Sequence, residues 1–467
     1  MKAILVRPNV GNFVNSLRDM GYSFDIAVAD IIDNSISADA CIIKISAVNS
    51  PELNIGIFDN GCGMSEDELV EAMRLATKNP DLERSKNDLG RFGLGLKTAS
   101  FSQCRSLTVI SKKEEHLSIK KWDLDYITDH NEWLLLTPEL DDFFDHPLFE
   151  DLNSSASGTL VIWNKIDRYR ECDFSESLVG LKKHLSLVFH RFLEGIGLKR
   201  LKIYINDNKI EPFNPFNPNH AATQQIAEDI IKYNDAEIKI QPFILPHHSK
   251  LSQQEYDRYS TEDGYTASQG FYLYRQNRLL IYGTWWGLHK TIDAHKLVRI
   301  KVDIPNSLDS SWGIDIKKAT ARPERALSKD LRRIIGQVTE KGSRPYTGRG
   351  KKIEDASINR FWGLKAVCES IRFTINMEHP LLDTINESID QEVAKILNIY
   401  LRGLEAYLPL DAIQAHLNNN PYKINQENDI EDDELKRLMK IIKATTVDPM
   451  YIEQLLNSEL FKSRKVD

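Results

Sequence analysis

Cysteine is scarce in this chain of 467 residues. The five present, Cys41, Cys62, Cys104, Cys172 and Cys368, lie far apart and form no CxxC pair. That spacing argues against a zinc site. The odd, sparse count points to reduced thiols and a cytoplasmic home. Long apolar runs are missing too: no uninterrupted stretch of about 20 apolar residues occurs, so no membrane span is expected. The opening MKAILVRPNVGNFV has only a short apolar run, broken by Arg7 and Pro8, and lacks the features of a signal peptide. Positive charge is not in excess, since 60 Lys and Arg stand against 68 Asp and Glu, for a net −8. Spread evenly, that charge would argue against a nucleic-acid partner. With 41% hydrophobic and 27% charged residues, the chain is neither collagen-like nor largely disordered.

The length suits about three domains at about 150 residues each. Apolar spacing over 12–36 predicts helix, and 41–48 and 53–58 read as Ile-rich strands. Ser65 with Glu68 three residues on marks a helix start. The polar stretch 74–92 reads as a loop, with helix resuming near Leu96. Strands are expected at 106–111, 117–123, 158–164 and 200–205, and an amphipathic helix at 177–195. PFNPFNPN at 212–219 reads as a linker. Strand-like runs follow at 236–244, 270–282 and 297–304, then a helix at 325–339. GSRPYTGRG at 342–350 reads as a second linker, and from about 353 the chain reads as almost wholly helical. Mixed strands and helices make the first two parts α+β.

Three short segments carry chemistry. In Asp30-Ile31-Ile32-Asp33-Asn34, helical spacing puts Asp30 and Asn34 on one face. Such a pair suits a water and a magnesium ion, which takes hard oxygen ligands; it also suits a helix end with solvated acids. Asp59-Asn60-Gly61-Cys62-Gly63-Met64 follows a strand, and its glycines let a flat ligand approach the backbone; a plain turn reads the same way. Gly90-Arg91-Phe92-Gly93-Leu94-Gly95-Leu96-Lys97-Thr98 opens a helix, where free N–H groups and the dipole favour phosphate. No GxxxxGK[ST] loop is present.

Taken in order, DxxDN, DNGCGM, GRFGLGLKTA and SGTLVIWN resemble the four ATP-binding motifs of the GHKL ATPases: DNA gyrase B, the 90-kDa heat-shock chaperones, histidine kinases, MutL and MORC proteins. GRFGLGLKTAS and GTLVIWN look most like the MORC and MutL-related branch, bacterial type. The resemblance implies a GHKL (Bergerat) α/β sandwich over 1–211, an S5-like transducer over 212–341, and a helical region over 342–467. It also implies site roles. Asn34 would hold Mg²⁺, Asp59 would bond the adenine amine, and Thr159 would assist through water. Gly61, Gly63 and Met64 would shape the adenine pocket. Gly90, Gly93, Gly95, Leu96, Lys97 and Thr98 would form the lid hinge and phosphate cradle. Asp30 stands where the hydrolysing families carry Glu as general base. In the transducer of these families a loop lysine reaches the γ-phosphate; in Trp312-Gly313-Ile314-Asp315-Ile316-Lys317-Lys318 the choice is Lys318, then Lys317. The implied cofactors are ATP and Mg²⁺, with a homodimer on ATP binding, DNA as partner, helicase or nuclease partner proteins, no membrane, and a restriction-like or anti-phage role.

The net charge hides an asymmetry. From Lys317 to Lys352 twelve basic residues meet three acidic ones, a local +9, and the rest of the chain carries −17. Arg325, Lys329, Arg332 and Arg333 form a helical stripe able to track a phosphate backbone, or a merely solvated face. The alternating aromatics Phe271, Tyr272, Tyr274, Tyr282, Trp285 and Trp286, with Arg275 and Arg278, suit a strand with one buried aromatic face better than a base-stacking surface. The tail offers no catalytic constellation. A clamp on DNA, a chaperone-like ATPase and a non-hydrolysing nucleotide-gated scaffold are the competing readings.

Overall fold

The computed structural model describes residues 4, 9–19, 21–49, 52–75, 95–169, 171–195, 199–260, 264–309, 311–315, 320–347, 359–367, 370–419, 430, 432–445, 452–453, 456–458 and 461. They form two compact units, Met1–Lys250 with Tyr259–Gly342, and Leu251–Arg258 with Ser343–Asp467. The chain is a mixed α+β protein.

The first half of the chain runs α1 (Val10–Arg18), α2 (Phe24–Ser37), β1 (Ile42–Asn49), β2 (Leu53–Asp59), α3 (Glu66–Met73), α4 (Gly95–Gln103), β3 (Cys104–Lys113), β4 (His116–Asp123), α5 (Leu124–His130), α6 (Phe149–Ser154), β5 (Gly158–Ile166), α7 (Glu171–Val188), α8 (His190–Glu194), β6 (Lys202–Ile205) and β7 (Asn208–Lys209). It continues with β8 (Gln224–Gln225), β9 (Asp229–Tyr233), β10 (Ala236–Ile244), α9 (Gln253–Ser260), α10 (Gly264–Ala267), β11 (Gly270–Arg275), β12 (Arg278–Thr284), β13 (Val298–Ile304) and α11 (Ser328–Thr347). One sheet has the order β4-β3-β5-β2-β1-β6-β7; the other runs β12-β11-β13-β10-β8, with β9 also on β10. Pairing is antiparallel except for β1–β6 and β11–β13.

The first sheet is buried on both faces, which is why GTLVIWN reads as a continuous apolar run. Ile55, Ile57, Val161 and Trp163 cluster with Ala27 and Ile31 of α2, Phe101 of α4 and Leu185 of α7. Phe58, Leu160 and Ile162, between them in the alternation, pack on Leu148, Phe149 and Leu152. In the second sheet Ile240, Leu273, Ile300 and Val302 meet Leu331, Ile334, Ile335 and Val338 of α11. Its other face puts Tyr272, Tyr274 and Phe243 against Phe216 and Leu187. Phe271, Tyr272 and Tyr274 are therefore core residues, and only Tyr282 of the aromatic run is largely exposed.

Four local expectations are corrected. The run 12–36 is two helices, broken where Gly21 takes φ +73°. The run 270–282 is a hairpin, because Gln276 and Asn277 both adopt positive φ and turn the chain. The linker expected over 342–350 is helix as far as Thr347: α11, whose apolar stripe Leu331, Ile334, Ile335 and Val338 packs on the sheet, continues through Gly342 and Pro345. The tail is not wholly helical, since β14 (Trp362–Val367) and β15 (Ser370–Ile375) pair as a hairpin, in keeping with their β-branched and aromatic residues.

In the second unit that hairpin is followed by α12 (Pro380–Ser388), α13 (Gln391–Ala406), α14 (Leu410–Asn419) and α15 (Asp432–Thr445), with Leu435, Met439 and Phe461 forming a small core. Among the described residues no helix is long and apolar enough to cross a membrane.

Candidate nucleotide site

Helix α2 supplies both halves of the site. From its middle, Asp30 is buried, and its Oδ2 accepts a hydrogen bond of 3.0 Å from the Tyr22 hydroxyl. Tyr22 also bonds the Thr98 hydroxyl, and burial with the nearby Asp30 charge raises its pKa, so it stays a protonated donor. The break between α1 and α2 is what brings Tyr22 back over Asp30. Gly95, first residue of α4, lies against the same carboxylate: a Cβ there would sit 3.7 Å from Asp30 Oδ2. DxxDN and the end of the glycine-rich motif thus meet at Asp30, beside a helix N-terminus that favours negative charge.

The other half begins five residues further along the same helix. Ser35 donates to Asp59 Oδ2 at 2.8 Å, and the Gly61 N–H donates to Oδ1 at 2.9 Å. Burial pushes the Asp59 carboxyl up from its ordinary value, opposed by those donors and by the Thr159 backbone. Thr159 stands opposite Asp59 in the β2–β5 register. Ser111 ties this corner together: its hydroxyl lies 3.0 Å from Thr159 Oγ1, donates to the Gly158 carbonyl, and accepts from Met64 N–H at 2.9 Å. Gly63 is required, with φ +65° and a Cβ position 1.9 Å from the Lys112 carbonyl. Asn60 is a staple, its Oδ1 accepting from the Cys41 and Ile42 N–H groups.

Asn34 is exposed on the last turn of α2. Leu96 is partly buried against the core. Lys97 is buried, and its Nζ donates 2.9 Å to the Ala72 carbonyl near the end of α3. Gly90, Gly93, Lys317 and Lys318 lie outside the described residues. Asp315, two residues before Lys317, is close enough for its charge to act on Tyr22. Arg325, Lys329, Arg332 and Arg333 are all exposed, away from the buried stripe of α11, and Arg333 pairs with Asp229 at 3.2 Å. Arg275 and Arg278 are buried in ion pairs with Asp309 and Asp33. Sequence reasoning missed Tyr22, Ser35 and Ser111. Ser35 adjoins Asn34 and was within reach of the motif; Tyr22 and Ser111 have no local signature.

Residues 22–159 match the family described as histidine kinase-, DNA gyrase B-, and HSP90-like ATPases. The matched segment holds Asp30, Asn34, Asp59, Gly61, Gly95 and Thr159. Among curated proteins none matches the chain. Among solved structures, the ATPase and transducer domains of DNA topoisomerase II from Balamuthia mandrillaris are similar at 12% identity, over 70% of this chain and 86% of that one, with a TM-score of 0.38. The N-terminal domain of a DNA repair protein is similar at 16% identity, over 72% and 98%, with a TM-score of 0.41.

Proposed function

We propose that the chain is a Mg²⁺-dependent ATPase of the MORC/MutL-like branch, working as an ATP-gated homodimeric clamp on DNA. In this reading 1–211 bind ATP, 212–341 act as an S5-like transducer, and 342–467 form a largely helical end. The carrying observation is that one helix positions both halves of the site, Asp30 under Tyr22 and Gly95, and Ser35 under Asp59. Asp59 accepts a hydrogen bond from the adenine amine, within a pocket shaped by Gly61, Gly63 and Met64. Asn34 would hold Mg²⁺, which would screen the phosphate charge. Asp30 takes a proton from the attacking water while Tyr22 fixes its carboxylate. Lys318, or Lys317 beside it, neutralises charge on the γ-phosphate; the action of Asp315 on Tyr22 supports this.

Asp in place of Glu shortens the arm by about 1.5 Å, and a misplacement of about 1 Å can cost about 100-fold. Turnover is therefore slow. The same shortening, with Oδ2 already tied to Tyr22, favours a second reading, a nucleotide-gated scaffold that binds without hydrolysing. The exposed cations of α11 support DNA as partner, and a restriction-like or anti-phage setting with helicase or nuclease partners is the biological role inferred. The test is ATP turnover with and without duplex DNA for wild type, Asp30→Asn and Asp59→Asn. DNA-stimulated turnover lost in both variants supports the clamp; binding without turnover selects the scaffold. Turnover with no salt-dependent DNA binding selects a chaperone-like ATPase acting on proteins.

A further inference from the structure

We infer that the tip of the β11–β12 hairpin is a brace that sets the nucleotide-site helix α2 against the segment anchored at Asp309, through the positioning residues Arg275, Arg278, Asp33 and Asp309; this rests on the nucleotide reading above. Arg275 and Arg278 are partners in register on either side of the two-residue turn Gln276–Asn277. Arg278 Nε lies 3.2 and 3.3 Å from the two oxygens of Asp33, and both side chains are buried. Asp33 sits three residues after Asp30 and directly before Asn34. On the other side of the turn Arg275 Nε donates 2.7 Å to Asp309 Oδ1, again with both partners buried.

Asp309 in turn organises the segment that follows. Its carbonyl accepts from the Ile314 N–H at 3.3 Å, one residue before Asp315, whose charge acts on Tyr22. The Asn277 side chain is held by Arg191, which also pairs with Asp303. One two-residue turn therefore grips two elements: α2, which carries Asp30, and the segment at Asp309, whose Asp315 is near enough for its charge to act on Tyr22, the partner of Asp30. A buried ion pair is often replaceable by apolar residues without loss of stability, so the two flanking this turn contribute a fixed orientation that apolar packing would not. Any shift of α2 on filling the site is passed through the arginines to 306–315.

The test uses the full chain and hydrogen–deuterium exchange over 306–315, with and without Mg²⁺ and a non-hydrolysable ATP analogue, alongside fluorescent-nucleotide affinity. Wild type is expected to show at least about fivefold slower exchange there on binding, the lower end of ordinary site coupling. The apolar double variant Asp33→Leu/Arg278→Met is expected to bind nucleotide and lose that slowing, while Arg278→Lys keeps part of it. If Asp33→Leu/Arg278→Met lacks a cooperative melt, Arg275→Met/Asp309→Leu, read at both 24–37 and 306–315, decides in the same way. Slowing that persists in a folded, nucleotide-binding double variant overturns the brace alone. Absence of nucleotide binding by wild type overturns the nucleotide reading and the brace with it.

Discussion

Removing one oxygen atom at Tyr22 tests how the site holds Asp30, the proposed base. In Tyr22→Phe the ring keeps its packing, but Asp30 Oδ2 loses a 3.0 Å donor inside a buried site and the Thr98 hydroxyl loses its bond to Tyr22. A hydrogen bond to a charged group contributes about 1.5–3 kcal/mol. If that energy restrains the carboxylate toward the reacting water, kcat falls by about 10- to 100-fold, since each 1.4 kcal/mol is about tenfold. Asp59, where the proposal places the adenine, is untouched, so KM for ATP should stay within about threefold, the pattern of an interaction that matters in the transition state. The assay is steady-state ATP turnover by coupled enzymes, with a thermal melt to show that the variant folds. Unchanged kcat in a folded variant would refute the positioning role. A matched rise in KM with constant kcat would move Tyr22 to substrate binding instead.

Gly63→Ala should melt well below wild type and bind nucleotide weakly, because its left-handed backbone alone costs about 1–2 kcal/mol and its Cβ would collide with the Lys112 carbonyl; an unaltered melt counts against a left-handed turn at this position. Burial holds His146, His184 and His190 down to about 4. Each therefore contributes stability that is present above pH about 6.5 and lost as the pH falls toward 4, by up to about 3 kcal/mol for a fully buried ring. Denaturant midpoints should drop over that window, and His190→Asn should flatten the drop. Neutralising Arg325, just before α11, and Arg332 and Arg333 on it to Gln should weaken duplex binding and reduce the slope of log affinity against log salt by about 0.9 for each phosphate no longer neutralised; an unchanged slope would remove this stretch from the DNA interface.

The site was legible in the sequence where its chemistry is local. Asp30 and Asn34 on one helical face, Asp59 with its glycines, and Gly95 at a helix start are short-range patterns, and their order along the chain carried the resemblance. Pairings between distant segments left no such mark. Arg278 meets Asp33 across 245 positions, so from sequence it was simply a basic residue among aromatics. Gln276–Asn277 is a weak turn signal, and the apolar residues on both sides read as one strand. Gly342 and Pro345 argued for a linker, but α11, packed on the sheet as far as Val338, continues through them to Thr347. The serines that orient Asp59 and tie Thr159 to Met64 are too common a residue type to stand out without coordinates.

The central claim is that Asp59, held by Ser35 and Gly61, reads the adenine of ATP. Calorimetric titration of the full chain with Mg-ATP, and of Asp59→Asn beside it, tests this most directly. The account predicts saturable binding of one ATP per chain, weakened by about tenfold or more in the variant for loss of a charge-assisted hydrogen bond, with both proteins melting cooperatively. Equal affinity in the folded variant, or no binding by wild type, would contradict it.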